Sequence, residues 1–320
     1  MIKAKASPNG QVRLLNSKQR LVKRVWEYRE MYMFLLLGVV STIVFSYVPM
    51  YGILMAFQDA KVGSVIGQAD WVGLHHFDKF INGLWFKDII RNTLVYGIAG
   101  TFFYWPAALG LALLLHNSTN PKLKKLTQNL TYIPHMLSII VVFAIVNLFL
   151  DHNSGLINIL ITKITGETSK INFYLLEDAL VPIYLATGLW QGTGYSAIIY
   201  IGALSSVDEE MVEAARIDGA SKWRIIWNIQ IPSIMPTVIT MLVMNSGSVF
   251  SVGTEKMLLM QNDLNLQNTE VVGTYVYKQT VFEARYGFST AVSVFQNIIS
   301  LTLVLIVNKL GDKLAGISVL

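Results

Sequence analysis

The sequence predicts an all-α membrane protein with six transmembrane helices and both termini in the cytoplasm. Hydrophobic residues make up 53% of the 320 residues, charged residues make up 14%, and the mean hydropathy is +0.49. This composition is too apolar for an ordinary soluble domain. Six apolar runs have about the length that a helix needs to cross a bilayer, and Lys and Arg are distributed unevenly between them.

The predicted elements begin with a polar, basic segment, residues 1–30, which we expect in the cytoplasm. Residues 31–320 are predicted to form one six-span transmembrane domain. The first apolar run is long and no small-residue cleavage site follows it, so we expect a retained span and not a signal peptide. The spans are predicted at residues 31–57, 92–115, 130–150, 179–204, 234–252 and 289–310.

The basic residues set the predicted orientation. Sixteen of the 25 Lys and Arg residues lie in the N-terminal segment, in the connections after spans two and four, and at the C-terminal end, whereas nine lie in the other three loops. Because cytoplasmic loops carry the excess of Lys and Arg, both termini are predicted inside. Residues 1–30 are expected to enforce this orientation and to contact anionic lipid, with a regulatory or partner-docking role as the alternative.

A charged, amphipathic segment, residues 205–236, separates spans four and five. Ser206 and Glu209 have the spacing of a capping box, so a helix is predicted to begin near Val207. Gly219 is expected to end it, because glycine readily adopts the left-handed conformation of a C-terminal cap. A helix of about eleven residues is too short to cross a bilayer, so we predict a surface helix. Its acids occupy one side and its apolar residues the other, namely Met211, Ala214, Ala215 and Ile217.

A second short helix is predicted directly after this one. Ser221 is expected to cap it, and its sequence is WRIIWNIQI. Pro232 and Pro236 are expected to bend it into the fifth span, because proline removes a helical hydrogen bond.

Residues 213–232 resemble the EAA loop of ABC importer permeases. The likeness rests on Glu213-Ala214-Ala215, on Gly219, and on Ile229-x-Ile231-Pro232, in which Ile231 stands where leucine is more usual. Four further stretches resemble the polysaccharide and oligosaccharide branch of the maltose-type permeases, in the MetI-like superfamily: YIPHMLS (132–138), SGLIN (154–158), TYVY (274–277) and YGFSTAVSVFQN (286–297). The likeness extends from the first span to about Asn308.

This resemblance implies the fold and mechanism of a type I ABC importer in a bacterial cytoplasmic membrane. Its short cytoplasmic helix would sit in a cleft of an ATPase subunit, and closure of the ATP-bound ATPase dimer would switch the spans from inward-facing to outward-facing. The implied coupling residues are Glu213, Ala214, Ala215, Asp218 and Gly219. The alternative is an amphipathic helix lying on the inner leaflet, although such helices usually carry basic polar faces and this one is acidic.

The resemblance also implies an assembly. A second, homologous permease would pair with this chain as a heterodimer, two ATPase subunits would bind ATP and magnesium, and an extracytoplasmic binding protein would deliver an oligosaccharide or polysaccharide fragment. The outer loops, residues 58–91 and 253–288, would form the docking surface for that binding protein. An ABC permease for another solute is the alternative within the same class.

Candidate substrate contacts lie on spans four, five and six. Saccharides are bound by amides, hydroxyls and aromatic rings, so the predicted path consists of Trp190, Gln191, Tyr195, Asn245, Ser248, Gln296 and Asn297. The alternative role of these residues is helix packing, since small and amide side chains often hydrogen-bond between transmembrane helices. The Gly188-x-x-x-Gly192 spacing predicts a close approach of another helix to span four.

Other chemistry is excluded or disfavoured by the residues themselves. Without a G-x-x-x-x-G-K-[ST] motif the chain has no P-loop, and it has neither cysteines nor a metal-binding spacing, so no cofactor, metal site or enzymatic activity of its own is predicted. His75 and His76 are expected in a solvated loop, and His135 as a packing residue. No charged residue lies in the middle of a predicted span, which disfavours an ion-coupled secondary transporter. A membrane-embedded enzyme is also disfavoured, because the chain shows no set of catalytic residues. The excess of basic residues lies beside the spans, which disfavours nucleic-acid binding.

Overall fold

The computed structural model describes residues 24–61 and 63–316, and the regular secondary structure of these ranges is helical except for one isolated antiparallel bridge between Gln58 and Trp71. From Arg29 onward the α-helices are α1 (Arg29–Thr42), α2 (His75–Ile81), α3 (Phe86–His116), α4 (Pro121–Tyr132), α5 (Ile139–Leu150), α6 (Leu156–Thr165), α7 (Glu177–Leu204), α8 (Glu209–Ile217), α9 (Lys222–Ile225), α10 (Ile231–Ser246), α11 (Thr254–Met260), α12 (Leu266–Thr269), α13 (Val272–Val281) and α14 (Tyr286–Ala315). Most of the predicted basic segment, residues 1–23, lies outside the described residues.

The chain divides into two compact units, residues 1–54 and 55–320. Within the first, α1 continues through a π-helical turn, Ile43–Tyr47, into a 3₁₀ segment, Val48–Phe57. The described part of this unit has no buried side chain. A helix that is apolar on every side is stable where lipid or another protein surrounds it.

Within the part of the chain that the structure describes, four helices are long and apolar enough to cross a membrane: Arg29–Phe57, Phe86–His116, Lys222–Ser246 and Tyr286–Lys313. They correspond to predicted spans one, two, five and six. The helix α7 covers the range predicted for span four, and its 28 residues are long enough to cross a membrane. Its Gly, Thr and Gln residues make it too polar to be counted with the other four helices. Pro106 lies inside α3.

Predicted span three is broken. The segments Pro121–Met136 and Ile139–Leu150 meet at an angle of 107°, and they make a fifth apolar span if the bent pair is counted as one. Leu137 and Ser138 are extended at the break, and the Ser138 hydroxyl accepts a hydrogen bond from the Val141 backbone N–H. The prediction of a continuous helix over residues 130–150 is therefore wrong, because Ser138 starts a new helix.

The second unit packs around α3 and α7, which lie against each other. Two glycines allow neighbouring backbone to approach closely, since a methyl group on Gly97 would overlap the Val249 carbonyl and one on Gly194 would overlap the Thr131 carbonyl. The predicted close approach at Gly188 is confirmed, because Tyr104 fills the space where a side chain would be. At Gly192 it is wrong, because that position faces open space.

Residues 253–288 do not form a simple outer loop. Val252, Met257, Met260 and Val271 pack with residues of α3, α5 and α7, including Tyr96, Phe143, Leu180 and Tyr184, in one hydrophobic cluster. The helix α11 and the start of α13 are thus part of the core. Exposed side chains remain further along, at Leu264, Val281 and Phe282.

Candidate functional site

The helix α8 begins later than predicted. Asp208 has an extended backbone and its carboxylate accepts a hydrogen bond from the Glu210 backbone N–H at 3.0 Å, so Asp208 is the N-cap. The Ser206 hydroxyl instead donates to the Ala203 carbonyl at 2.7 Å. The predicted capping box at Ser206 is wrong, because that residue still belongs to the turn that closes α7.

The end of α8 is as predicted. Gly219 has a φ of +79°, and its N–H bonds the Arg216 carbonyl while the Ala220 N–H bonds the Ala215 carbonyl. These two bonds form a Schellman motif, which requires a left-handed residue at the position of Gly219. No neighbouring atom lies within 4 Å of a methyl group built on Gly219, so backbone conformation and not crowding favours glycine there.

One side chain anchors α8 to the rest of the chain. Val212 is buried at 8% exposure, whereas Ile217 is 86% exposed. Glu213, Ala214 and Asp218 are exposed, and Ala215 is half-buried. The helix therefore presents both its acids and several apolar side chains to its surroundings, which is an arrangement suited to insertion into a partner.

The segment after α8 is one helix and not two. Ser221 caps it as predicted, since its hydroxyl accepts a hydrogen bond from the Arg224 N–H at 3.4 Å. The helix then continues as Lys222–Ser246 through a π-helical turn, Ile226–Gln230. The prediction of a separate short helix is wrong, because the π turn lies just before Pro232 and accommodates the hydrogen bonds that proline removes.

The π turn is fastened to the end of α3 by two amides. Asn117 donates to the Gln230 side-chain oxygen at 2.8 Å, and Gln230 donates back to the Asn117 side-chain oxygen at 3.0 Å. Gln230 is buried. Sequence analysis missed this pair because its members lie 113 residues apart.

Two predicted path residues on α7 face the break in span three. The Gln191 amide donates to the Leu137 carbonyl at 3.2 Å, and the Tyr195 ring stacks on the His135 ring with centroids 4.0 Å apart and planes at 9°. Gln191 thus satisfies a carbonyl left free where the helix is interrupted. His135 therefore packs as predicted, but its partner is Tyr195 and both rings are exposed. Trp190 is also exposed.

Of the four remaining predicted path residues, one is hydrogen-bonded to backbone and three are exposed. Gln296 donates to the Phe250 carbonyl at 2.7 Å, so it too bonds backbone just beyond a helix end. Asn245, Ser248 and Asn297 are exposed, and the Ser248 hydroxyl bonds the Asn245 carbonyl. The structure therefore brings Gln191, Tyr195 and His135 together, and it does not bring the residues of span six into that group.

Lys256, on α11, is a buried cation that sequence analysis left in an outer loop. It is 8% exposed, its ammonium donates to the Tyr184 carbonyl at 2.5 Å, and it lies 4.0 Å from the centroid of the Tyr184 ring. No carboxylate of the described residues lies within 4.0 Å of the Lys256 ammonium. The helix α11 lies outside the spanning helices, and burial lowers the pKa of Lys256 to about 7.

Only one member of the His75–His76 pair is exposed to solvent. His76 is buried and its Nε2 lies 3.0 Å from the Gln58 carbonyl, so the prediction of a solvated pair is wrong for His76, while His75 is exposed. Among residues 24–61 and 63–316, no group of three or more His, Cys, Asp or Glu side chains is arranged to hold a metal ion.

Residues 108–314 match the family model described as binding-protein-dependent transport system inner membrane component. The chain is 36% identical over 296 residues to the polygalacturonan/rhamnogalacturonan transport system permease protein YteP of Bacillus subtilis, covering 92% of each chain, and 34% identical over 283 residues to Protein LplB of the same organism, covering 88% of each. Among solved structures, a bacterial alginate ABC transporter in complex with an alginate pentasaccharide-bound periplasmic protein matches with a TM-score of 0.84 and 28% identity, covering 94% of this chain and 100% of that one.

Proposed function

Since this chain belongs to the family of binding-protein-dependent transport system inner membrane components, and is a permease component of a sugar or polysaccharide ABC importer, we propose that its cargo is an acidic oligosaccharide. The observation that carries this proposal is agreement between two independent comparisons. One relative is named for polygalacturonan and rhamnogalacturonan, and one solved structure for alginate. All three polymers contain uronic acids.

The helix α8 is the proposed coupling element. Its acids and apolar side chains are exposed while Val212 holds it in place, so a partner cleft can enclose it. Glu213 and Asp218 would meet polar or basic groups of an ATPase subunit, Ala214 and Ala215 would keep the helix thin, and Gly219 would supply the turn behind it. ATP and magnesium would be bound by that ATPase and not by this chain.

We further propose six spans with both termini in the cytoplasm. The bent pair of α4 and α5 would be one span, and α7 would be another, in addition to the four apolar helices. The helix α7 is less apolar than the others because it would line the path, where its glycines and amides meet protein and solute instead of lipid.

The substrate path would follow the exposed rings at the break in span three. His135 and Tyr195 present an exposed stacked pair, and a saccharide ring can pack its apolar face on such a surface. Trp190, five residues before Tyr195 on α7, is a further exposed ring. Discontinuous transmembrane helices mark binding sites in several classes of transporter, because the interrupted backbone lines a cavity. Asn245, Ser248 and Asn297 would add hydrogen bonds elsewhere along the path.

The proposed assembly lies in a bacterial cytoplasmic membrane. It contains a second, homologous permease, two ATPase subunits and an extracytoplasmic binding protein, which would dock on residues 58–91 and on the exposed part of residues 253–288. The solved relative was captured with its periplasmic protein.

Reconstitution tests this function. The chain, its partner permease, the ATPase and the binding protein are assembled in proteoliposomes, and uptake of labelled trigalacturonate is measured with and without ATP. We expect uptake that requires ATP, the binding protein and an intact ATPase site. A control complex whose ATPase carries an inactivated catalytic carboxylate should take up none.

Two results would contradict the proposal. Uptake that continues without ATP, driven by a proton or sodium gradient, would indicate an ion-coupled secondary transporter. ATP-dependent uptake of neutral oligosaccharides with exclusion of trigalacturonate would keep the importer and overturn the acidic substrate.

A further inference from the structure

Lys256 lies in the protein interior, and no carboxylate of the described residues lies within 4.0 Å of its side-chain nitrogen. Its side chain lies among Tyr184 and Gly188 of α7 and Tyr104 of α3, all uncharged. Burying an ammonium is unfavourable unless an anion or several hydrogen bonds replace water. Lysines in such surroundings among membrane helices usually serve transport or binding, and the anion they meet can belong to the solute.

We propose that Lys256 binds a carboxylate of the transported saccharide during translocation, an inference that rests on the proposed function. The Tyr184 carbonyl is the acceptor that holds the ammonium in this structure, and it also accepts a hydrogen bond from the Tyr104 hydroxyl at 3.3 Å. If the Lys256 ammonium turns toward a substrate carboxylate, the Tyr184 carbonyl therefore keeps a partner. An ammonium has three N–H donors on a flexible stem, so it can exchange one acceptor for another with little rearrangement.

The position of Lys256 fits a path along α7. Tyr184, Gly188, Gln191 and Tyr195 follow each other at spacings of four, three and four residues, so they share one face of that helix. Lys256 contacts the first two, and the aromatic pair at His135 and Tyr195 lies two turns further, roughly 10 Å at 1.5 Å per residue. A chain of uronic acids could thus reach the aromatic pair and Lys256 together.

Gly188 supports a requirement for room at this place. A methyl group built there would overlap the Tyr104 hydroxyl and would lie 3.0 Å from the Lys256 ammonium. The absence of a side chain at this position leaves the ammonium and the hydroxyl in the same small space, where both can reach one oxygen-rich ligand.

The test compares one charged and one neutral cargo in the complete complex. The full assembly, with either the wild-type chain or Lys256→Met, is reconstituted in proteoliposomes. Uptake of trigalacturonate is then compared with uptake of its fully methyl-esterified form. We expect Lys256→Met to lower trigalacturonate uptake about tenfold, which corresponds to about 1.4 kcal/mol. Uptake of the neutral ester should change by less than about twofold.

Two variants serve as controls. Lys163→Met removes an exposed cation from α6 and should leave both rates unchanged. Lys256→Gln keeps a donor for the Tyr184 carbonyl without the charge, so it should show the same selective loss even if the methionine variant fails to assemble.

The outcomes separate this inference from the proposed function. Equal loss of both cargoes in the Lys256 variants would show a structural role, and unchanged uptake of both would show that the ammonium does not contact the cargo; either result overturns the inference. Failure of the wild-type complex to take up trigalacturonate overturns the proposed substrate itself, before any variant is compared.

Discussion

Asn117 and Gln230 hydrogen-bond to each other in both directions, with nitrogen–oxygen distances of 2.8 and 3.0 Å. Asn117 is the C-cap of α3. Gln230 is the last residue of the π turn, which directly follows α9 and lies downstream of the exposed helix α8. An amide pair satisfies two donors and two acceptors at once, so it fixes the relative position of the two helices. A displacement of α8 therefore reaches α3 through this pair as well as through the continuous helix Lys222–Ser246.

Removing one amide of this pair should destabilise the protein more than removing both. Asn117→Leu leaves the buried Gln230 amide unpaired, which costs about 1–3 kcal/mol. Gln230→Leu should cost less, because Asn117 is half-buried and its amide still donates to the Leu113 carbonyl. The double variant has no unpaired amide and should recover part of that loss. Thermal unfolding of the wild type and the three variants, purified as complexes, gives the coupling free energy. Strictly additive losses would show that the two amides do not depend on each other.

Substitution of Gly219 should uncouple ATP hydrolysis from transport. An aspartate at a φ of +79° distorts the Schellman turn behind α8, with a backbone penalty of about 1–2 kcal/mol. Gly219→Asp and Glu213→Lys should each abolish stimulation of the ATPase by substrate-loaded binding protein. Gly166→Asp is the matched control, because Gly166 ends α6 at a φ of +77° in equally open space. Stimulation that survives in Gly219→Asp and Glu213→Lys would remove α8 from the coupling mechanism.

The glycine at position 97 should be necessary for packing. A methyl group there would overlap the Val249 carbonyl, so Gly97→Ala should lower the free energy of unfolding by about 1–3 kcal/mol or more. The unfolding temperature and the yield of assembled complex should fall with it. Gly192→Ala adds the same methyl to open space and should be neutral. Melting of the two complexes side by side distinguishes them, and equal behaviour would contradict the close approach at Gly97.

The stacked rings should contribute to transport through their faces. Tyr195→Phe keeps a ring against His135 and should change uptake little, whereas Tyr195→Ala and His135→Ala should raise the half-saturating substrate concentration about tenfold, which corresponds to about 1.4 kcal/mol. Binding of trigalacturonate to the complex without the binding protein, measured by isothermal titration calorimetry, checks the affinity directly. Wild-type affinity in Tyr195→Ala would place the saccharide elsewhere.

Local signals predicted the elements that depend on local backbone chemistry. Gly219 could be assigned from sequence because a left-handed turn has one strongly favoured residue. The start of α8 could not, because Ser206 and Asp208 are both good caps. The choice depends on where α7 ends, and Ser205 and Ser206 still bond the carbonyls of Ile201 and Ala203.

The parts of the site that sequence analysis missed depend on contacts between distant residues. Lys256 follows Gly253-Thr254-Glu255 and precedes the four apolar residues at 257–260. Nothing in these neighbours along the chain indicates that α11 packs against α7. His135 is similar, because its exposure follows from the break at Ser138, where a cap competes with continuation of an apolar helix. Gln191 and Gln296 had the right polarity for a path, but each is bound to a carbonyl beyond a helix end.

The single buried anchor of α8 has a consequence for engineering. Because Val212 carries the attachment, the outward residues of this short helix can be exchanged without disturbing the interior of the permease. Grafting the matching surface from another importer should thus be enough to redirect the chain to a foreign motor subunit, leaving its cargo unchanged.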